Sequence, residues 1–170
     1  MQKNNIGCSS NEGKNKLVEH ILILYDFLLP LYKKMSNQIT VTASVNADAK
    51  KVWDYYTKPE HITKWNFADP SWHCPSASND MRVGGKYIAR MEAKDGSFGF
   101  DFEVIYTNIV YGEQFTYEFG GRGATVIFDS VDGKTNITVN FDPENENPIE
   151  MQQAGWQAIL NNFKSYTEEK

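Results

Sequence analysis

The hydrophobic pattern of the last stretch of the chain predicts one long helix. Apolar side chains recur there mostly at intervals of three and four residues, which gives the helix one broad apolar face. The members of this face are Ile149, Trp156, Ile159, Leu160 and Phe163. Residues 147–150, Asn-Pro-Ile-Glu, offer an N-cap, a proline suited to the first turn and the spacing of a capping box. Another part of the chain must cover the apolar face.

Alternating apolar and polar residues predict β-strands in two parts of the chain. Residues 39–45 alternate with a period of two, and the same period recurs through residues 86–141. Because an antiparallel sheet can leave one face in water, this pattern favours an antiparallel meander with a single buried face. We expect that face to cover the C-terminal helix.

Three turns predict how the strands of the meander pair. The Asp-Gly pairs at 95–96 and 132–133 are signals of two-residue hairpins, whereas residues 120–123 are interpreted as a four-residue loop. Centred on these turns, apolar residues pair on one common face: Met91 with Phe100, Ala89 with Phe102, Tyr87 with Val104, Phe119 with Ala124, Tyr117 with Val126, Phe115 with Phe128, Phe128 with Ile137, Val126 with Val139 and Ala124 with Phe141. A shift by one residue would destroy that agreement. On the opposite face, Arg90 lies across from Asp101, a pair of opposite charges.

Two short helices are predicted between the first strand and the meander. Asn46 is the candidate cap of the first, which buries Trp53 and ends before Pro59. Pro59 can open the second helix, which runs through Trp65. Residues 67–85 carry several prolines and glycines and are predicted to be mostly loop, with one short strand.

The start of the chain differs from the rest in composition. Residues 1–16 are polar and without periodicity, which predicts disorder, and residues 17–32 have the spacing of a short amphipathic helix. One interpretation is that this helix docks on a partner or a membrane surface. The favoured interpretation is that it packs on its own domain or is only an upstream extension. We therefore divide the chain into an N-terminal extension, 1–34, and one domain, 35–170.

Charge and composition exclude several functions. The net charge of −5 and the pI of about 5.2 argue against nucleic-acid binding, which needs a basic face. Cys8 and Cys74 provide no disulfide framework, which favours a reducing compartment. The most apolar run, 21–32, is too short to span a membrane and does not fit a signal peptide. We expect a cytoplasmic protein. The aromatic share of 14% is high and needs a core or a cavity.

Three segments of the sequence carry a family resemblance. They are NADAKKVWDYYTKPEHITKW with the strand before it, DPSWHCPSASNDMRVGGKYIARMEAKDGSFGFDFE, and NPIEMQQAGWQAILNNFKSY. From about residue 39 to residue 166, the chain closely resembles bacterial stand-alone domains similar to the C-terminal domain of the activator of Hsp90 ATPase. That family belongs to the START-like (SRPBCC) superfamily. The resemblance implies an α+β helix-grip (Bet v 1-like) fold: a strand, two short helices, and a curved antiparallel sheet of six or seven strands wrapped on the C-terminal helix.

The resemblance implies the fold more strongly than the function, because the superfamily includes lipid carriers, hormone receptors, polyketide cyclases and co-chaperone domains. Catalytic patterns are weak. Adjacent residues of an extended stretch point to opposite sides, so His73 and Cys74 are a poor thiolate–imidazole pair. A metal set would comprise Asp69, His73, Cys74 and Asp80, but its spacing matches no known site. The acidic residues Glu92, Asp101 and Glu103 fall on the solvated face. No catalytic residue, metal or cofactor is predicted, and a non-enzymatic role is favoured.

The predicted inner face is rich in aromatic residues, Phe98 among them, and suits a lipophilic ligand. The expected lining consists of Trp53, Tyr56, Trp65, Trp72, His73, Met91, Phe100, Phe102, Phe115, Tyr117, Phe128, Trp156, Leu160 and Phe163. The leading hypothesis is a domain that binds a small hydrophobic or aromatic molecule between the sheet and the C-terminal helix. The alternatives are an Hsp90-type co-chaperone or protein-interaction module, with a chaperone as partner, and a cyclase- or hydrolase-like enzyme. The oligomeric state is left open.

Overall fold

The computed structural model describes residues 38–170. The elements of this part of the chain are β1 (Ile39–Val45), α1 (Ala49–Thr57), α2 (Pro59–Trp65), β2 (Trp72–His73), β3 (Ala77–Asn79), β4 (Lys86–Ala93), β5 (Gly99–Val110), β6 (Gln114–Phe119), β7 (Arg122–Val131), β8 (Lys134–Phe141) and α3 (Ile149–Glu169). The helix predicted at 17–32 and the predicted boundary at residue 35 lie outside the described residues.

One curled antiparallel sheet joins the strands. The strand order is β1-β8-β7-β6-β5-β4-β2, and β3 also pairs with β4. The long helix α3 packs on its apolar face, where the Trp156 ring stacks on Phe141 at 4.1 Å between centroids. The predicted α+β helix-grip architecture is therefore confirmed. The loop at 67–85 holds two short strands instead of the one expected.

Two of the predicted hairpin registers are confirmed. Met91 lies opposite Phe100 across β4 and β5, and Phe128 lies opposite Ile137 across β7 and β8. The alternation of buried and exposed residues follows these pairings, so each strand contributes one face to the core.

The predicted register of β6 and β7 is wrong by two residues. Phe119 lies opposite Arg122 instead of Ala124. Gly120 and Gly121 have φ angles of 53° and 74°, and two consecutive positive φ angles are what a tight two-residue hairpin turn requires. The loop is therefore shorter than predicted. Because the error is an even number of residues, the same side chains still face the core.

The two short helices form where they were predicted. α1 ends at Thr57 and α2 begins at Pro59. The cap of α1 is Asp48 instead of Asn46: its Oδ1 accepts a hydrogen bond from the backbone nitrogen of Lys51 at 2.9 Å. Asn46 lies too far before the first helical turn to fill this role.

α3 begins slightly later than its capping signal predicted. Pro148 occupies the N-cap position, and the helix starts at Ile149. Within the described residues, no side chain caps the helix, and the side chain of Asn147 is turned to Glu144, where its Nδ2 donates to Oε1 at 2.7 Å. Ile149 is 46% exposed, so its assignment to the apolar face is wrong. The face that α3 buries begins at Trp156, which is partly buried.

Polar side chains of α3 cover the free edge of the sheet. Gln157 accepts a hydrogen bond from the backbone nitrogen of Thr42 at 3.3 Å and donates to its carbonyl oxygen at 3.0 Å. Lys164 Nζ donates to the carbonyl oxygen of Ser44 at 2.6 Å. β1 is an edge strand, and unpaired backbone groups at such an edge invite pairing with other chains. α3 therefore binds the sheet through hydrogen bonds from its polar side chains as well as through its apolar face.

Candidate ligand-binding site

A cavity of about 230 Å³ lies between the sheet, α3 and the two short helices. Its lining consists of Tyr56, Ile62, Trp65, Asn66, Asn79, Tyr87, Met91, Phe100, Phe102, Tyr106, Phe115, Tyr117, Val139, Trp156, Ile159 and Leu160. Phe100 is 43% exposed, so the lining of the cavity reaches the protein surface at this residue. Every layer of the fold contributes to this wall, so the cavity depends on the whole domain.

The structure brings most of the expected site residues to this cavity. Those that line it are Tyr56, Trp65, Met91, Phe100, Phe102, Phe115, Tyr117, Trp156 and Leu160. Strand alternation and helical spacing placed them together, because both patterns identify the side chains that face inward.

Three expected lining residues, Trp53, Phe128 and Phe163, pack behind the residues that line the cavity. Trp53 packs edge-on against Phe128 at 5.2 Å between ring centroids, and Phe163 packs against Tyr56 at 4.9 Å. All three are at most 6% exposed and belong to the solid core. Periodicity identifies an inward side chain but not whether another ring separates it from the cavity. These residues support the lining without reaching the open space.

Trp72, His73 and Phe98 lie outside the cavity. Trp72 and His73 form the short edge strand β2, which pairs with the last residues of β4. His73 Nε2 is 3.7 Å from the Glu92 carboxylate on the outer side. Phe98 is 62% exposed and precedes β5, in the turn, where the strand alternation that predicted its direction does not apply.

The lining also contains Ile159, from the predicted apolar face of the C-terminal helix, and six residues that the expected lining omits: Ile62, Asn66, Asn79, Tyr87, Tyr106 and Val139. Tyr87 and Tyr106 share the alternation of their strands with selected neighbours, so the pattern could have identified them. Asn66 follows α2, and Asn79 lies in the segment predicted to be mostly loop. No periodicity marks either asparagine, because their positions depend on tertiary packing.

Four tyrosines place hydroxyl groups along one part of the lining: Tyr56, Tyr87, Tyr106 and Tyr117. Burial raises the pKa of each of them above the ordinary value. They also lie close enough to one another that ionising one would disfavour ionising the next, which adds to the rise in pKa of Tyr56, Tyr87 and Tyr117. All four hydroxyls are therefore protonated at neutral pH and can donate hydrogen bonds.

Two asparagines also place polar side chains in the lining. Asn66 Nδ2 donates to the Tyr87 hydroxyl oxygen at 2.8 Å. Asn79 Nδ2 donates to the carbonyl oxygen of Thr57 at 2.6 Å. Asn79 Oδ1 is buried and has no hydrogen-bond partner within the described part of the chain. This orphaned acceptor is unusual, since buried polar atoms are nearly always paired.

A model of one known protein family matches most of the chain. Its description is Activator of Hsp90 ATPase homolog 1-like protein, and it matches residues 46–168. The chain belongs to this AHSA1-like family. A solved AHSA1-like protein from Aeromonas hydrophila is 35% identical to this AHSA1-like domain, with a TM-score of 0.71, covering 77% of this chain and 93% of that one. The resemblance to this family is confirmed.

Other solved structures share the fold of this AHSA1-like domain. A protein from Cytophaga hutchinsonii is 48% identical, with a TM-score of 0.69, and the match covers 78% of this chain and 93% of the Cytophaga protein. A protein from Chromobacterium violaceum is 22% identical, with a TM-score of 0.68 and coverage of 79% and 99%, which shows the fold alone. Comparison with curated proteins found no match.

Charged and reactive groups of the AHSA1-like domain lie away from the cavity. Arg90 on the outer face contacts Glu92 at 2.7 Å and Asp101 at 3.4 Å, as the sequence predicted for that face. Burial raises the pKa of the Cys74 thiol to about 11, which leaves little thiolate for nucleophilic chemistry. His73 and Cys74 point to different environments, one half-exposed and one buried.

Two further properties concern only residues 38–170. In this part of the chain, no group of three or more His, Cys, Asp and Glu side chains could hold a metal ion. None of its helices has the length and apolar character needed to cross a bilayer.

Proposed function

We propose that this AHSA1-like domain binds a small hydrophobic or aromatic molecule in the cavity between the sheet and α3. The observation that carries the proposal is a cavity of about 230 Å³ with a mostly aromatic and aliphatic lining. A buried apolar cavity of about 150 Å³ accepts benzene. A ligand with one or two rings therefore suits this space.

The expected affinity is modest. A ligand of this size buries roughly 200 Å² of apolar surface, worth about 5 kcal/mol at 25 cal/mol/Å². That free energy corresponds to a dissociation constant of roughly 0.2 mM, and hydrogen bonds to the tyrosines or asparagines would lower it.

We place the domain in the cytoplasm, since the free Cys74 suits a reducing compartment. Cell fractionation tests this location.

A panel of lipophilic and flavonoid-like compounds tests the proposal. Trp65 and Trp156 line the cavity, so binding is expected to change tryptophan fluorescence. Binding to the folded state is also expected to raise the melting temperature, by mass action. If no compound changes either signal, the proposal fails.

A second candidate function is protein interaction of the co-chaperone kind. The observation that favours it is an exposed aromatic group formed by Trp72, Phe98 and Phe100, with ring centroids 6.1–6.2 Å apart. Phe98 is 62% exposed, and clustered apolar surface often marks a binding site. A pull-down with an Hsp90-type chaperone and measurement of its ATPase rate test this function. Absence of contact, or equal effects of the wild type and Phe98→Ser, would count against it.

A further inference from the structure

The buried acceptor Asn79 Oδ1 has a fixed direction. The carbonyl oxygen of Thr57 can only accept a hydrogen bond, so the amide nitrogen of Asn79 must face it, at 2.6 Å. The amide oxygen therefore faces the other way, and within residues 38–170 it has no partner. Asn79 lines the cavity, so a donor carried by a ligand would satisfy this oxygen.

Hydrogen-bond donors surround the same part of the lining. Burial raises the pKa of Tyr106, and a hydrogen bond that the side-chain amide nitrogen of Asn79 donates to the Tyr106 oxygen opposes part of this rise. The Tyr87 oxygen already accepts from Asn66, which leaves its own O–H free to donate. Tyr56 and Tyr117 also line the cavity, and burial raises the pKa of both, so each keeps its hydroxyl proton. We call these four tyrosines together with Asn79 the polar end of the cavity.

Among residues 38–170, no charged side chain lines the cavity. Beyond Asn79, Asp80 is paired with Arg82 at 2.8 Å and Lys86 is paired with Glu103, all at the surface. An ionised group placed at the polar end would lose its hydration without gaining a counter-charge, which is strongly unfavourable. The polar end therefore suits a neutral group.

The polar end adjoins the more apolar part of the lining, because the rings of Tyr87 and Tyr117 pack against Phe102 with centroids 6.2 Å and 6.5 Å apart. Tyr106 lies six residues from Phe100 along β5. Met91, Phe102 and Trp156 accompany Phe100 in the apolar part. A ligand that fills both parts has an apolar body and one polar terminus.

We propose that the cavity selects neutral ligands whose polar terminus both donates and accepts a hydrogen bond, such as phenols, alcohols and primary amides, and that it rejects ionised analogues. The donor of the ligand pairs with Asn79 Oδ1, and its acceptor pairs with a tyrosine hydroxyl. This inference rests on the proposed binding function and specifies the class of ligand.

Three probes with one common ring system test the selectivity: naphthalene, 2-naphthol and 2-naphthoate. Equilibrium dialysis at neutral pH measures their dissociation constants, with 2-naphthol neutral and 2-naphthoate ionised. We expect 2-naphthol to bind about tenfold more tightly than naphthalene, because two hydrogen bonds are added. We expect 2-naphthoate to bind at least roughly tenfold more weakly than naphthalene.

The three probes separate failure of this inference from failure of the proposed function. If naphthalene binds but 2-naphthol binds no more tightly, the selectivity is overturned and the binding function stands. If 2-naphthoate binds as tightly as 2-naphthol, the exclusion of charge is overturned. If none of the three binds, the binding function fails and the inference fails with it.

Hydroxyl deletions locate the effect. Tyr117→Phe and Tyr56→Phe keep the ring and remove one donor each. We expect each to weaken 2-naphthol binding about threefold and to leave naphthalene binding unchanged within about twofold. Tyr111→Phe is the control, because Tyr111 is 76% exposed and does not line the cavity. Equal effects of all three substitutions on 2-naphthol binding would contradict the assignment of the polar end.

Discussion

Two successive parts of α3 have different surroundings. Phe163 is completely buried between Tyr56 and Trp65, with ring centroids about 5 Å apart. The part of the helix before Phe163 places Trp156, Ile159 and Leu160 beside the cavity. One continuous apolar stripe thus serves a solid core at one end and a cavity wall at the other. Helical periodicity therefore shows which side chains are buried, while the residues opposite them decide whether the space is filled.

Removing the ring at the solid end should have the largest effect. Phe163→Ala deletes a side chain with no exposed surface and is expected to lower the free energy of unfolding by about 3–5 kcal/mol. Urea denaturation measures this change. Ile149→Ala, at a residue 46% exposed on the same helix, is the control and should cost less than about 0.5 kcal/mol. Similar losses of unfolding free energy for both variants would contradict the proposed difference between buried and exposed positions of α3.

Adding bulk at the cavity end should affect binding more than stability. Leu160→Trp places a larger ring into the space beside Leu160, and we expect it to weaken binding of a lipophilic probe by more than about tenfold. The stability should change by no more than about 1–3 kcal/mol, because the cavity can take up part of the added volume. Ser165→Trp adds the same side chain to the exposed side of α3 and should leave binding unchanged. Undiminished binding by Leu160→Trp, measured by dialysis, would contradict the position of the site.

Alkaline pH should destabilise the domain through the cavity tyrosines. Their folded pKa values are raised, so the unfolded chain loses protons first as the pH rises through about 10. The stability that the neutral hydroxyls contribute is fully present below that pH. It is lost progressively above it, by up to about 1.4 kcal/mol per group for each pH unit. Urea melts at several alkaline pH values should show a smaller slope for Tyr56→Phe than for the wild type, and an equal slope for the two proteins would contradict this origin of the pH dependence.

Removing the side-chain hydrogen bonds between α3 and the edge strand β1 should have the smallest effect. Gln157→Leu removes the hydrogen bonds to both backbone groups of Thr42, and we expect a loss of about 1–2 kcal/mol. The uncovered edge of β1 should also increase self-association, which light scattering measures. Ser165→Leu adds a leucine to the exposed side of the same helix as a control. Equal association of both variants would show that added hydrophobicity, and not the uncovered strand, is the cause.

Much of the fold could be predicted because its signals are local. The Asp-Gly turns fixed the registers of two hairpins, and strand alternation identified the inward faces. The predicted turn at Gly120 is too long because four plausible turn residues allow either a two-residue or a four-residue loop, and the positive φ angles of Gly120 and Gly121 decide between them. The shift by two residues left the inner face correct, which is why the architecture was unaffected.

The site was predictable only in part, because its polar end depends on contacts between distant segments. The orientation of Asn79 is set by the carbonyl oxygen of Thr57, which is 22 positions away in the sequence. Trp53 and Phe128 were assigned to the lining because they face inward, yet they pack against each other behind it. Whether an inward side chain reaches open space depends on the volumes of its neighbours, and no sequence period encodes that.

An NMR titration with 2-naphthol that follows the tryptophan indole N–H signals would show whether the ligand occupies the cavity. Trp65 and Trp156 line the cavity, whereas Trp72 lies in the exposed aromatic group and Trp53 lies behind the wall. If the ligand occupies the cavity, its ring current should shift the signals of Trp65 and Trp156 most, with little change at Trp72. Shifts confined to Trp72, or no shift at saturating ligand, would contradict the assignment of a ligand-binding cavity between the sheet and α3.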